Sequence, residues 1–319
     1  MLAERPAKAS FGRWSRCTGQ HPSRAGKLPA PQPPRPRLPR HGPAVRNRLW
    51  LLAGGLGFSL ALGACGSTEP SPEPAGARTN PGPTATSTRW TPSPGASWQW
   101  QLSGRLDLGV EAEIFDVDYE KTTATEVDAL KQKGRRTICY LSVGSREDFR
   151  GDANHFPASV RGSTMSGWPD EQWLDIRRMD VLLPIMAARM DICADKGFDA
   201  VEADNVDGYL NETGFPLDAD DQLAYNRAVA KLAHERGLSV ALKNDVDQIA
   251  GLVGDFDFAI NEECARYDEC GLYKPFTDAG KAVLHVEYRG DLSFCAESGR
   301  RGFSSMLKPP DLSAPRSSC

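Results

Sequence analysis

Histidine is scarce in this chain. Of 319 residues only five are histidine, and three of them, His155, His234 and His285, fall after residue 97. No H-x-H or H-E-x-x-H spacing occurs, which excludes the usual zinc sites. No strand-like segment is followed by G-x-G-x-x-G or G-x-x-x-x-G-K, which excludes the common nucleotide-binding loops. An apolar run of bilayer length is also missing. The run Leu49–Leu62 has 14 residues and is broken by Gly54, Gly55 and Gly57, too short to span a membrane comfortably. Nor is there a basic body. Residues 1–48 hold 11 Lys and Arg against the single acid Glu4, whereas the remainder holds 27 basic and 41 acidic residues, a net of −14. An acidic body excludes a nucleic-acid partner, because phosphate contacts need a basic face. It suits a cationic partner, with surface acid that serves solubility alone as the plainer alternative.

What is present falls into four stretches. Residues 1–44 are rich in Pro, Arg and Ala without an apolar period, a composition that cannot bury a core. Arg46-Asn47-Arg48, the short apolar run and Leu62-Gly63-Ala64-Cys65 follow. A basic n-region, an apolar h-region and a small-residue cleavage site describe a secretory signal peptide over residues 45–65. The L-G-A-C end resembles the bacterial lipobox, so Cys65 is the expected lipidation site and membrane anchor; an ordinary signal peptide with a chance cysteine is the alternative. Because a signal peptide should open a chain, residues 1–44 are expected to be an over-extended reading frame, with translation starting at Val45. Residues 66–97, mostly Pro, Ser, Thr, Gly and Ala, read as a tether. Residues 98–319 remain as one folded domain of the size of a lean (β/α)8 barrel, expected to be monomeric and extracytoplasmic.

Within that domain, strand-like and helix-like stretches alternate, which implies a parallel sheet. Eight strands are expected: Trp98–Leu102, Glu113–Val117, Thr137–Val143, Trp173–Ile176, Phe198–Ala203, Leu238–Leu242, Phe256–Ile260 and Ala282–Glu287. Helices over Ala187–Lys196 and Asp220–Arg236 end at Gly197 and Gly237, as helices commonly do. Eight strands suggest a closed α/β barrel, and such barrels place their sites at the C-terminal strand ends. The polar residues there are Asp116 and Asp118; Tyr140, Ser142 and Gly144; Glu202, Asp204 and Asn205; Lys243, Asn244 and Asp245; Asn261, Glu262 and Glu263; Glu287 and Tyr288. Carboxylates with amides and aromatics are the inventory of glycosidases. One carboxyl protonates the leaving oxygen, and the other acts as nucleophile or as base for water.

Alternation narrows the pair, since successive strand residues face opposite sides. Asp204, Glu202 and Ala200 share one face, and the even positions from Phe256 share another that ends at Glu262. Asp204 and Glu262 thus lie at comparable heights with one strand between them. Asp204 as a turn cap, and Glu263 in place of Glu262 across a bulge, are the alternatives. Lys243 could hold a neighbouring carboxylate ionised, or form a structural ion pair. Trp168, Trp173 and Tyr209 could be sugar platforms or core. The D-N-V-D cluster could take a hard cation, though its spacing is no EF-hand loop; neither a metal nor a cofactor is expected.

The segments W-Q-W-Q-L-S-G (98–104), C-Y-L-S-V-G-S (139–145), W-L-D-I-R (173–177), F-D-A-V-E-A-D-N-V-D-G-Y (198–209), L-K-N-D (242–245) and F-A-I-N-E-E-C (258–264) resemble glycoside hydrolase family 114. These are endo-α-1,4-polygalactosaminidases with TIM-barrel domains. The resemblance covers nearly all of Trp98–Tyr288 in order. It implies cleavage of an α-1,4-linked galactosamine polymer that is partly deacetylated and hence cationic. It also implies that Asp204 and Glu262 are the catalytic carboxylates, the pair that alternation selects. Asp116, Tyr140, Lys243 and Asn244 match cleft-lining blocks, and Asn205, Glu287, Tyr288 and Trp168 complete the candidate substrate-binding set. Ala203 departs from the Pro expected in many relatives, but keeps a small side chain. A retaining mechanism with Asp204 as nucleophile and Glu262 as acid/base is the expectation. The rivals are a glycosidase on another α-linked polysaccharide, a non-catalytic carbohydrate-binding lipoprotein and a metal-dependent hydrolase.

Eight cysteines are present, with Cys17 and Cys65 outside the domain. The six others, in an exported chain, suggest disulfides. Cys264 with Cys270 would close a loop after the catalytic strand, and Cys295 with Cys319 would tie down the tail. Cys139 with Cys193 remains by elimination, with free buried thiols as the alternative.

The acids Asp116, Asp118, Asp204, Asp207, Glu262 and Glu287 would together draw in ammonium groups. Activity on a deacetylated polymer is therefore expected to fall as salt rises, through Debye screening. A rate that stays flat across a sodium chloride titration would remove electrostatic steering from the account.

Overall fold

The computed structural model describes residues 89–319. The expected extension, signal peptide, lipidation site Cys65 and most of the tether lie outside the described residues. The chain builds an α/β fold around a curled nine-stranded sheet. Its strands are β1 (Trp98–Gln101), β2 (Ile114–Asp118), β3 (Arg136–Ser142), β7 (Ala200–Asp204), β8 (Ser239–Lys243), β9 (Phe258–Glu262), β10 (Val283–Glu287), β11 (Ser304–Leu307) and β12 (Ser317–Ser318), paired in that order. The first eight run parallel, and β12 pairs antiparallel with β11. Helices α1 (Ala124–Gln132), α2 (Met179–Asp195), α3 (Ala219–Glu235), α4 (Ile249–Leu252), α5 (Lys274–Asp278) and α6 (Cys295–Arg301) fill the connections.

One expected strand is corrected. The stretch around Trp173 does not join the parallel sheet. It belongs to a three-stranded antiparallel sheet inserted after β3, made of β4 (Ser145–Glu147), β5 (Arg161–Met165) and β6 (Trp168–Leu174), with β6 in the middle. The segment W-P-D-E-Q-W-L is too polar for a strand buried on both faces, which reads as a near-continuous apolar run. The eighth parallel strand is instead Ser304–Leu307, whose two serines hid it from hydropathy. Helix α2 also starts eight residues before the expected Ala187. It runs through Pro184, which lies beyond the first turn and removes the i→i−4 bond that residue 184 would make to Asp180.

Alternation sorts the strand side chains into two cores. Trp98, Trp100, Ile114, Ile138, Ala200, Ala241, Phe258, Ile260, Leu284, Val286 and Met306 pack with one another inside the curl. Phe115, Val117, Cys139, Leu141, Val201, Ala203, Val240, Leu242 and Ala259 face outward. They pack against Val127 and Leu130 of α1, Leu182, Met186 and Met190 of α2, and Tyr225 and Val229 of α3. The Val, Leu, Ile, Phe and Met side chains among them each contribute about 1.5–3 kcal/mol on burial. Capping boxes start two helices, Thr123 with Glu126 for α1 and Asp218 with Asp221 for α3. Gly197 and Gly237, both at positive φ, follow α2 and α3.

The C-terminal tail stitches the ends of the sheet together. Strand β12 takes the outer edge of β11, while Arg316 Nη1 donates to Trp98 O at 2.9 Å and Gln99 Nε2 to Ala314 O at 2.7 Å. Trp98 Nε1 donates to Ser304 O at 2.9 Å, bridging β1 and β11 directly. Residues assigned to the tether also join the domain. Trp90 packs beside the inner core, its carbonyl accepts from Ser239 Oγ, and Arg136 lies over its ring at 5.7 Å.

Three disulfides pair Cys139 with Cys193, Cys264 with Cys270, and Cys295 with Cys319. The last spans 24 residues and holds the tail that bridges the sheet. A Cys295→Ser/Cys319→Ser variant is expected to lose about 3 kcal/mol of stability through regained chain entropy. Urea unfolding of the oxidised protein measures it, and an unchanged midpoint would show that the tail is held by its hydrogen bonds alone.

Candidate active site

The C-terminal ends of β7, β8 and β9 each finish in a residue that is then followed by left-handed backbone. Asn205 has φ 62°, Asn244 51°, Asp245 40° and Glu263 60°. Such conformations cost a non-glycine residue of order 1–3 kcal/mol and cluster at functional sites. The turns let each strand deliver one inward side chain, namely Asp204, Lys243 and Glu262.

These three meet at the Lys243 ammonium. Its Nζ lies 3.1 Å from Asp204 Oδ1, 3.1 Å from Glu262 Oε2 and 3.0 Å from Glu202 Oε1. The same Nζ sits over the Trp100 ring at 4.7 Å. Lys243 is only 2% exposed, whereas the Asp204 and Glu262 side chains keep 17% and 30%. Burial works against the ammonium charge, but Asp204, Glu202 and Glu262 outweigh it and raise the Lys243 pKa well above its ordinary value. The cation is thus fixed at working pH.

Each carboxylate has further donors. Asp204 Oδ2 accepts from Tyr140 Oη at 2.9 Å, and Oδ1 from the Asn205 amide at 2.8 Å. Glu262 Oε1 accepts from Tyr288 Oη, and Oε2 from Asn244 Nδ2 at 3.3 Å. Burial first, then the adjacent carboxylate, raises the pKa of Tyr140 and of Tyr288 well above the phenolic value. Both stay protonated donors. Asn244 Oδ1 also accepts from the Glu262 amide at 3.0 Å, which locks β9 to the β8 turn. Glu263 turns away to Arg266 at 2.6 Å, so Glu262 is the residue that joins Asp204.

The structure therefore brings together Asp204, Glu262, Lys243, Asn244, Tyr140 and Tyr288. It separates others from them. Glu287 lies on the opposite face of β10, where its Oε1 pairs with His285 at 2.9 Å and accepts from the Ala265 amide at 2.8 Å. It fastens the loop after β9 and does not line the cleft; the parity that makes Tyr288 inward makes Glu287 outward. Asp116 shares the inner face but is fully buried, so it sits beneath the cleft. Asp118 is buried against Arg150 at 2.8 Å, which holds its carboxyl below the usual range despite burial. Asp207 is buried, and its carbonyl accepts from Asn211 Nδ2 at 2.9 Å. Of the six acids expected to attract ammonium groups, Asp204 and Glu262 alone combine exposure with a place in the cleft. Trp173 is core, Tyr209 is partly buried, and Trp168 is 44% exposed at the β5–β6 turn. That hairpin rests on the site, with Asn205 Nδ2 at 3.7 Å from Met165 Sδ.

Sequence reasoning missed the wall that this hairpin builds. Gly144 lets β4 leave β3 against Asn205; a Cβ there would stand 1.8 Å from Asn205 O. Ser142 Oγ then donates to Asn205 Oδ1 at 2.7 Å, and Ser145 Oγ to Glu171 Oε2 at 2.7 Å. Arg150 and Arg189 neutralise Asp118, Glu147 and Asp152 behind it. The Gly-Ser step after Ser142 hinted at a close turn, but the ionic partners are far apart in sequence.

Two carboxylates at the strand ends of an α/β sheet, held by one lysine and two phenols, define a glycoside hydrolase site. The chain belongs to glycoside hydrolase family 114, whose model matches residues 79–319. A solved structure of Ega3 from Aspergillus fumigatus in complex with galactosamine is 36% identical, with a TM-score of 0.68 over 73% of this chain and 99% of that one. The glycoside hydrolase domain of PelA from Pseudomonas aeruginosa is 15% identical, with a TM-score of 0.57 over 70% of this chain and 98% of that one, a likeness of fold alone. A comparison with curated proteins finds no match.

Glu171 supplies a stability test of the wall. Burial first, then the charge of Glu147, pushes its carboxyl up from 4.5 to about 7. A carboxyl raised in the fold costs nothing while protonated in both states, and its cost grows as pH rises from 4.5 to about 7. Glu171→Gln is thus expected to exceed the wild type in stability at pH above that window, by at most about 3 kcal/mol, and to match it at lower pH. Thermal unfolding across pH reads this, and a constant difference at every pH would mean that Glu171 titrates alike in the folded and unfolded chain.

Proposed function

We propose that this protein is an endo-acting, retaining glycosidase that cleaves α-1,4 bonds in a galactosamine-containing polysaccharide. The single observation that carries the mechanism is the shared ammonium. Asp204 Oδ1 and Glu262 Oε2 both touch Lys243 Nζ at 3.1 Å, so these oxygens stand at most twice that length apart. That bound is on the nearest oxygens, and it accommodates the roughly 5–5.5 Å between the carboxyl groups of retaining pairs.

Asp204 is the better nucleophile. Three donors meet it, yet Oδ2 carries only the Tyr140 bond, which leaves a lone pair for the anomeric carbon. Glu262, the more exposed of the two, protonates the leaving glycosidic oxygen while Asp204 forms the glycosyl ester. Ionised Glu262 then takes a proton from water, whose oxygen attacks the same carbon and frees Asp204. Tyr288 serves both states of Glu262, since a phenol can donate to the carboxylate or accept from the acid.

The substrate class rests on the galactosamine bound by Ega3 and on the net −14 that follows residue 48. In this reading the curled sheet is a closed TIM barrel sealed by the C-terminal tail. Three disulfides fit an oxidising, extracytoplasmic compartment, and Cys65 would carry the lipid that anchors the protein to a membrane.

Asp204→Asn and Glu262→Gln are each expected to lower kcat on α-1,4-galactosamine oligomers by about 10²–10⁴-fold or more. Proton NMR of the first product is expected to show the α-anomer. An initial β-product would replace the retaining mechanism by an inverting one. Equal turnover of other α-glycans would widen the substrate class.

A further inference from the structure

Beneath the catalytic pair lie two carboxyls that the mechanism above does not use. Asp116 on β2 and Glu202 on β7 both face the interior of the curl and are fully buried. One strand separates them on that face: Asp116 is level with Ile138 of β3 and Glu202 with Tyr140, two residues further along, and the charge of each bears on the other. Among the described residues, no amide or hydroxyl donates to any of their four oxygens. The cation beside them is Lys243, 3.0 Å from Glu202 Oε1. Two adjacent carboxylates without donors cannot both stay charged in a sealed interior, because like charge and lost solvation act together. One shared proton removes one charge and supplies the missing hydrogen bond.

We propose that Asp116 and Glu202 form a proton-sharing dyad that keeps a single negative charge under Lys243 throughout the catalytic cycle. Burial and then the Glu202 charge raise the Asp116 carboxyl well above its ordinary range. Glu202 is raised less, to about 7: burial and then the Asp204 charge push it up, while Lys243 and the Asp116 hydrogen bond draw it back. The proton therefore sits on Asp116 and the charge on Glu202, next to the ammonium.

This rests on the retaining reading and extends it. When Asp204 becomes an ester it loses its charge, and Lys243 would face one carboxylate fewer. Glu202 remains as counterion, so the buried ammonium is never stranded, and it need not move to support Glu262 as the base of the second step. The dyad also limits how much of the Lys243 field reaches the catalytic pair. Without its charge, Lys243 would favour the ionised forms of both Asp204 and Glu262. The groups facing the dyad are Asp204 on β7, Lys243 on β8 and Glu262 on β9, with Tyr140 on β3 and Tyr288 after β10. Asp116 and Glu202 are thus positioning residues.

The pH profile of kcat/KM separates this role from a merely structural one. Asp116→Asn mimics the protonated Asp116 and leaves the charge on Glu202, so both limbs are expected within about half a pH unit of wild type, whatever the loss of rate. The double variant Asp116→Asn/Glu202→Gln removes the charge. Both limbs are then expected to move to lower pH by about one unit. Limbs that coincide in the single and double variants would overturn the proposal. If the double variant does not fold, infrared difference spectra of wild type against Asp116→Asn at neutral pH decide. A carboxylic-acid C=O band lost with Asp116 is expected, and its absence from the wild type overturns the dyad. Should the wild type hydrolyse no galactosamine polymer, the glycosidase reading fails, while the infrared band still judges the shared proton.

Discussion

One buried ammonium organises this site. Lys243 is all but sealed from water, which for a lone charge would cost several kcal/mol. It is tolerated because three carboxylate oxygens lie within 3.1 Å and the Trp100 face lies 4.7 Å away. The contacts also work in reverse. Three acids from two different strands could not crowd together without that cation. Register delivers them to it: Glu202 pairs with Ala241, two residues before Lys243, and Lys243 pairs with Ile260, two residues before Glu262. A one-residue slip of β8 would turn Lys243 to the outer face and leave the acids unpaired.

Such dependence on register explains why so much of the remaining structure is fastening. Asn244 ties the β8 turn to the β9 backbone, and Tyr273 Oη receives Asn261 Nδ2 at 2.9 Å on the outer side. Cys264–Cys270 closes the loop that follows, and Glu287 receives its first amide. On the far side the tail and its disulfide draw β1, which carries Trp100, toward β11. The inserted antiparallel sheet is anchored by ions and hydroxyls. Arg150 grips Glu147 with two bonds of 2.8 Å and reaches Asp118, while Tyr119 lies against the guanidiniums of Arg150 and Arg189. These bonds hold Gly144 and Asn205 in contact, and so the amide that meets Asp204.

Much of this was legible from alternation. Period-two parity put Asp204 and Glu262 on one face, and the structure joins them through a single nitrogen. At β10 the same parity places Tyr288 inward and Glu287 outward. It also placed Glu202 and Asp116 inside without revealing depth, since two positions down a strand separate a cleft residue from a sealed one. The eighth strand, with Ser304 and Ser305, escaped because its hydropathy is low and its burial comes from neighbours. The stretch around Trp173 reads like a strand of the parallel sheet because short apolar stretches do not say which sheet they join. Arg150 and Arg189 were invisible for a different reason: their partners are set by tertiary contacts.

The neutralised wall changes how an acidic domain would meet a cationic chain. Asp118, Glu147 and Asp152 stand near the cleft, but Arg150 and Arg189 occupy them, so they add little field at the reacting centre. The attraction then has two ranges. At distance it comes from the net charge of the whole domain, which guides encounter without choosing a register. At contact it comes from Asp204 and Glu262, the same groups that act in the proposed chemistry. An amino group that settled on either would block the reaction. Lys243 opposes that outcome, because an ammonium already among those oxygens repels a second. In the proposed reaction the buried lysine would thus disfavour unproductive binding of the amine at the scissile position and would leave the sugar ring free to approach the Asp204 Oδ2 face.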